Sequence, residues 1–216
     1  MRADEVQTEQ LIKEKARNLF FQKGILNATT QEIADEAGVN RALIHYYFRS
    51  REQMVETLVD ETISEKKHRI RTILSLDLPF RQRIALFIHV VVDYSLAYPH
   101  LENFIISEMA RHPDKLKAIC SRDKVKSTDL IREDLEIEIR HKRIAPITPE
   151  HFMVNLSAMC HYPLLAKSIL QVVHGMTDAG YRKFLLERKK AIYATIFNEE
   201  MPDVSVSEAL RAELNL

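Results

Sequence analysis

Arg41 and His45 stand four residues apart, as do Ala42 and Tyr46. On a helix each pair shares a face, one turn apart. Together they offer a guanidinium, an imidazole and a phenol beside one small residue that permits close approach. Neither Glu nor Lys occurs between Arg41 and Arg51, whereas a helix face built only for solubility favours both. Donors of this kind suit the edges of bases, and the major groove of duplex DNA admits one helix with its side chains. Ile44 and Phe48 point the other way, towards a small core. Thr29 and Thr30 add a second capability. They fall at the start of a helix, where free backbone N–H groups and the helix dipole favour a phosphate. Arg51, at the start of a further helix, is placed for the same work.

The neighbouring residues explain how this face is positioned. Thr29 and Glu32 have the spacing of a capping box, which opens a helix over Gln31 to Ala37. That helix buries Ile33, Ala34 and Ala37, and Gly38 supplies the left-handed residue that ends it. Val39 plugs the turn and Asn40 caps the next helix, Arg41 to Phe48. Upstream, a helix starting after Thr8 places Ile12, Ala16, Leu19 and Phe20 on one face and ends at Gly24. Downstream, Ser50 and Gln53 cap a long fourth helix, Arg51 to about Leu74, with Met54, Leu58, Ile63, Ile70 and Ile73 apolar. Two short helices meeting at a tight turn make a helix-turn-helix.

Composition leaves this motif to carry the functional reading. The 216 residues hold 31 Lys and Arg against 31 Asp and Glu, so any basic surface must come from local placement. Only 4 glycines and 7 prolines, and no alternating pattern, predict an all-α fold. No apolar run reaches the ~18 residues of a membrane span. The stretch from Met1 to Gln10 is polar and does not read as a signal peptide. Cys120 and Cys160, two lone thiols, suggest a reducing cytoplasm and a place in the core. There is no phosphate loop, nucleophile elbow or zinc motif, so neither an enzyme nor a cofactor is implied.

The remainder reads as a helical bundle. Helices are expected over Arg81 to Tyr98 and Leu101 to Arg111, then in the charged stretch from Pro113. Thr148-Pro149-Glu150 starts another, with a kink or break at Pro163. Thr177-Asp178 precedes the last long one, Tyr181 to Phe197. A short helix near Ser207 lies in a polar tail. His89 and Asp93, one turn apart, read as a satisfied polar pair rather than a metal site. Lys66, Lys67, His68, Arg69 and Arg71 read as a solvated basic face. Phe87, Val91, Tyr94, Phe104, Met109, Met159 and Tyr162 could line an apolar effector pocket or simply fill a core. Leu156, Leu164, Ile169, Leu185, Ile192 and Ile196 are candidates for a four-helix dimer interface, because one helix-turn-helix reads only one half-site. The division expected is 5–65 for the DNA-binding domain, 66–200 for the ligand-binding and dimerization domain, and 201–216 for the tail.

The run Thr29-Thr30-Gln31-Glu32-Ile33-Ala34-Asp35-Glu36-Ala37-Gly38-Val39-Asn40, followed by Ile44-His45-Tyr46-Tyr47-Phe48-Arg49-Ser50-Arg51-Glu52, resembles the TetR (tetracycline-repressor-like) family. Leu19-Phe20 and Gly24 extend the resemblance into the first helix. It implies a homodimer with three DNA-binding helices, a linking fourth helix and a C-terminal ligand-binding and dimerization bundle. By position, Thr29 and Thr30 would touch phosphate. Asn40, Arg41, Ala42, Leu43, His45 and Tyr46 would face bases and nearby backbone, and Tyr47 and Arg51 would hold the phosphate backbone. His45 stands where the family usually has Tyr, Leu43 where a small polar residue is frequent, Ala42 where Gly is frequent and Arg51 where Lys is usual. These departures bear on the operator sequence, not on the fold. The partners implied are a pseudo-palindromic duplex operator, a second copy of the chain and a small apolar effector. The competing reading is a helical protein-interaction module that does not bind DNA.

Overall fold

The computed structural model describes residues 3–114, 117–118, 125–204 and 207–214. Among these residues the fold is all-α, as the composition requires, with no strand. The helices are α1 (Ala3–Arg17), α2 (Thr30–Ala37), α3 (Arg41–Phe48), α4 (Arg51–Leu74), α5 (Phe80–Ala97), α6 (Leu101–Arg111), α7 (Arg132–Arg140), α8 (Pro149–Leu165), α9 (Lys167–His174), α10 (Asp178–Phe197) and α11 (Glu208–Glu213). They form two compact units: Met1–Glu65 with Ala97–Cys120, and Lys66–Leu96 with Ser121–Leu216. α4 is one continuous helix that begins in the first unit and ends in the second. No single described helix is long and apolar enough to cross a membrane. Cys120 lies outside the described residues, and Cys160 is a buried thiol whose burial pushes its pKa up to about 12.

The first unit is built on aromatic packing. α1 starts before the expected Thr8 and runs into a π-helical turn, Asn18–Gln22. The wider turn directs Leu19, Phe20 and Phe21 into the core together. Phe20 stacks on Phe104 of α6 at 5.5 Å between centroids, and Phe21 meets the same ring edge-on at 5.2 Å. His100 donates its backbone N–H to the Phe21 carbonyl at 3.0 Å. These contacts join α6 and the residue before it to the helix-turn-helix unit. Gly24 has φ +70°, and a Cβ there would lie 2.9 Å from the His100 ring, so conformation and space both demand glycine. Lys13 and Arg17 of α1 reach α4, with Lys13 Nζ 2.7 Å from Glu61 and Arg17 Nη2 2.8 Å from Glu65. Burial alone would lower the Lys13 ammonium, but hydrogen bonds to Glu61 and Glu9 outweigh it and raise its pKa.

The second unit centres on α5, whose Ile84, Phe87 and Ile88 are wholly buried. α8 runs through Pro163 to Leu165, so the expected break comes three residues late, at Ala166. Proline has no N–H for the Met159 carbonyl, and Arg188 Nε donates to that oxygen instead, at 3.4 Å. α10 begins at Asp178, earlier than expected, because Thr177 caps it by accepting from Gly180 N at 3.1 Å.

The short helix expected near Ser207 is present as α11, and it is docked: Ser207 caps it, Leu214 is 0% exposed, and Met201, Val204 and Leu210 pack on the core. The basic stretch of α4 is not simply a solvated face. Arg69 is buried and donates to the Leu214 carbonyl, and Lys66 Nζ lies 3.2 Å from His161 Nε2. His89 and Asp93 do form a satisfied cluster, completed by a residue that spacing cannot supply. Lys189 Nζ from α10 lies 2.5 Å from Asp93 Oδ1 and 3.3 Å from His89 Nδ1. Desolvation, then the Lys189 charge, lowers the His89 pKa.

Candidate nucleic-acid interface

Local chemistry sets up α2 and α3 residue by residue. Thr29 caps α2 in a complete capping box. Its hydroxyl oxygen accepts from Glu32 N at 3.2 Å, and its own N–H donates to Glu32 Oε2 at 2.7 Å. Those bonds from the Thr29 backbone and side chain hold the Glu32 carboxyl below its ordinary 4.5. α2 ends at Gly38, φ +65°, where Val39 N–H reaches back to the Ala34 carbonyl at 3.0 Å. Asn40 then caps α3, its Oδ1 accepting from Ala42 N at 2.8 Å.

α3 has the orientation its spacing predicts. Ile44 and Phe48 are buried, while Arg41, Ala42, His45 and Tyr46 are exposed, with Leu43 and Tyr47 half-buried at the flanks. Tyr46 is 68% exposed, an unusual position for a large aromatic in a well-packed unit. Its ring meets Tyr47 edge-on at 5.0 Å, which limits where the phenol can swing. Arg41 Nε donates to Thr30 Oγ1 at 3.1 Å, tying the outer face of α3 to the first turn of α2. Arg49 ends α3 at φ +60°, a left-handed position held by a non-glycine residue, and no glycine signal in the sequence marked it.

Two proposed phosphate contacts are already engaged. Arg51 donates Nε to the Ala28 carbonyl at 2.7 Å and Nη2 to the Leu26 carbonyl at 2.5 Å. Its fork therefore ties the start of α4 to the loop before α2. Thr29 directs both its N–H and its hydroxyl at Glu32. Thr30 Oγ1 is the acceptor for Arg41 Nε.

The other candidate residues scatter. Phe104 is in the aromatic core of the first unit, and Met109 lines a cleft of about 240 Å³ there with Arg51, Val55 and His112. Phe87 and Val91 are core residues of the second unit, and Met159 packs against that core. Tyr94 lies under the Arg69 guanidinium at 3.9 Å, and Tyr162 is exposed. Phe104 and Met109 thus belong to the first unit and the other five residues to the second. Of the dimer candidates, Leu156, Leu164, Leu185 and Ile192 are buried inside their own chain and Ile196 is partly buried. Ile169 is 61% exposed. The outward apolar residues are instead Val154, Tyr162, Leu165, Val172, Val173 and Leu186. The spacing of Leu165, Ile169, Val172 and Val173 makes one helical stripe, a signal present in the sequence but weaker than the longer faces of α8 and α10.

Among the described residues no group of three or more His, Cys, Asp or Glu side chains could hold a metal ion.

Comparison with known proteins agrees with the motif and the fold. The family model for bacterial regulatory proteins of the tetR family matches residues 12–58, which hold α2, α3 and their flanks. A Bacillus subtilis (strain 168) protein described as "Probable HTH-type transcriptional regulator YttP" is 24% identical over 196 residues, covering 89% of this chain and 95% of that one. The HTH-type transcriptional regulator TtgR of Pseudomonas putida is 31% identical over 71 residues, 33% of this chain and 34% of TtgR. A TetR-family transcriptional regulator of Haemophilus influenzae shares the fold with a TM-score of 0.56 at 15% identity, covering 90% of this chain and 99% of that one. With a helix-turn-helix whose polar aromatic face is turned outward and an all-α fold shared with known regulators, the chain is a DNA-binding transcriptional regulator whose residues 12–58 are similar to the tetR family.

Proposed function

We propose that the protein is a homodimeric repressor that sets two α3 helices into successive major grooves of a pseudo-palindromic operator. The grooves would be one DNA turn, about 34–36 Å, apart. The observation that carries this reading is the exposed face of Arg41, Ala42, His45 and Tyr46, held outward by buried Ile44 and Phe48. Arg41, His45 and Tyr46 supply donors to base edges, and Ala42 lets the helix approach closely. Asn40 and Leu43 flank that surface, while Thr30, Tyr47 and the first turn of α2 face phosphate. A chain of zero net charge must gain its affinity from this local arrangement.

The second copy is assigned to the outward apolar stripe of Ile169, Val172 and Val173, with Val154, Tyr162 and Leu165 beside it. Exposed aliphatic residues this dense mark a contact surface, and a two-fold operator calls for a two-fold protein. In this proposal 5–65 is the DNA-binding domain and the second unit carries dimerization and effector binding. An effector releases the operator only through unequal affinity for two conformations of the dimer, and α4, continuous from one unit to the other, is the lever.

The test is a gel shift on operator selected from random duplex DNA, with Arg41→Ala and Tyr46→Ala. Each variant is expected to weaken specific binding while remaining folded and dimeric. Undiminished operator binding by both would overturn the assignment.

A further inference from the structure

Arg41 is exposed at the first residue of α3, yet its guanidinium is already held. Nε donates to Thr30 Oγ1 at 3.1 Å, across the turn between the two helices. Among the described residues Thr30 is its one polar partner, and no carboxylate neutralises its charge. A surface arginine with no partner samples many rotamers, and ordering it on a ligand costs conformational entropy. The Thr30 bond removes part of that cost before DNA arrives, because the guanidinium is planar and one fixed N–H orients the rest. With Nε taken, a side-on approach through Nε and one Nη is closed, and the end-on pair Nη1 and Nη2 remains. Both groups only donate, so the base that meets them must present two acceptors side by side in the major groove. Guanine does, with O6 and N7. Adenine sets a donor beside its N7, thymine a methyl beside its O4, and cytosine offers a donor.

Thr30 brings a second capability through the same hydroxyl. An oxygen that accepts from Arg41 keeps its own proton to donate. Thr30 is the first residue of α2, where first-turn backbone N–H groups and the helix dipole favour a phosphate. One side chain therefore connects the backbone grip to the base reader.

We infer that Arg41 reads one guanine in each operator half-site, end-on through Nη1 and Nη2, and that Thr30 is the positioning residue that sets its plane. The inference rests on the DNA-binding reading above and names the base and the device that selects it. A phosphate would engage the same two donors, and N7 of the base distinguishes the two targets.

Operators are selected from random duplex DNA with the full chain, and affinities for the selected site with each base at each position are measured by fluorescence anisotropy. The unmutated protein is expected to require guanine at one symmetric position, with adenine there bound roughly 5- to 150-fold more weakly. Arg41→Ala should lose that preference and keep the preferences elsewhere. Substituting 7-deazaguanine there removes the N7 acceptor. It should weaken the unmutated protein about tenfold and leave Arg41→Ala unaffected. Thr30→Val deletes the hydroxyl at nearly constant volume. It should narrow the guanine-over-adenine ratio about threefold, and Thr30→Ser should restore it. A Thr30 that served only phosphate or the fold would weaken both sites equally and leave that ratio alone. Melting temperatures establish that each variant is folded. Selected operators in which no guanine depends on Arg41, tolerance of 7-deazaguanine by the unmutated protein, or an unchanged ratio in Thr30→Val would each overturn the inference and leave the regulator reading standing. Failure to enrich any operator would overturn both.

Discussion

α3 and α9 are both eight-residue helices with an exposed face that no intrachain partner covers, yet the two faces differ in chemistry. α3 buries Ile44 and Phe48 and turns Arg41, Ala42, His45 and Tyr46 outward. α9 has no buried residue and turns out Ile169, Val172 and Val173, the second of them 83% exposed. Water tolerates the first face well, because its polar atoms keep their hydrogen bonds; the aliphatic face gains by leaving water, at about 25 cal/mol per Å² covered. The first therefore suits a hydrated, charged and interchangeable partner such as a DNA groove. The second suits a permanent apolar partner, best supplied by its own copy. In the proposed dimer, specificity and oligomerization therefore sit on separate surfaces, each open to mutation without the other.

Val172→Asp should give the largest effect. A carboxylate in the centre of an apolar contact is left unpaired on association, costing about 2–4 kcal/mol, or roughly 30- to 1000-fold in dimer affinity. The exposed position keeps the monomer fold within about 0.5 kcal/mol. Sedimentation should find monomer, and operator affinity should fall with it. A variant that remains dimeric would move the interface elsewhere.

Arg51→Ala comes next. Its two bonds to Ala28 and Leu26 carbonyls predict a loss of about 1.5–3 kcal/mol in denaturant unfolding. The dependence of operator affinity on salt should keep its slope, whereas loss of a true phosphate contact lowers that slope by about one. A reduced slope with unchanged stability would place Arg51 among the DNA contacts.

Tyr46→Ala is the mirror image of Val172→Asp. It should cost about 1–3 kcal/mol of discrimination at one base position and leave dimerization and melting unchanged. If instead it lowers the melting temperature, Tyr46 is a structural aromatic and the outward face of α3 loses its main recognition group.

The helix-turn-helix could be read in advance because everything that defines it is local. Thr29, Glu32, Gly38 and Asn40 act within four residues of themselves, and the inward side of α3 follows from 3.6-residue periodicity. The failures all involve distance. Arg51 finds its acceptors more than 20 residues upstream, and Arg69 finds Leu214 145 residues away. Nothing in the spacing of the fourth helix announces either partner. The wide apolar faces of α8 and α10 looked like an interface because periodicity reports that a face must be covered, not whether its own chain covers it. Leu156 and Ile192 are covered from within, and the shorter stripe on α9 remains. The Pro163 break arrives late because a neighbouring helix, through Arg188, serves the carbonyl that proline leaves without a donor.

The smallest effect concerns the cap that opens α2 and so presents α3. Thr29→Ala should destabilise the first unit by about 1 kcal/mol, the usual value of a lost N-cap. Its pH signature is more diagnostic than its size. Glu32 is held below its ordinary 4.5 by the Thr29 backbone N–H and then by the Thr29 hydroxyl. A carboxyl whose folded pKa is depressed contributes stability that is fully present above its unfolded value and is lost as pH falls through its folded value. The unmutated protein should therefore lose the contribution of this box below pH 4.5, in a window that follows the titration of the Glu32 side-chain carbon by NMR. Thr29→Ala keeps the backbone donor but removes the hydroxyl, so the folded pKa should move part of the way back to 4.5 and the acid slope of unfolding stability should shrink. An unchanged Glu32 titration would mean that the hydroxyl makes no bond in solution, and the cap of α2 would then rest on its backbone alone.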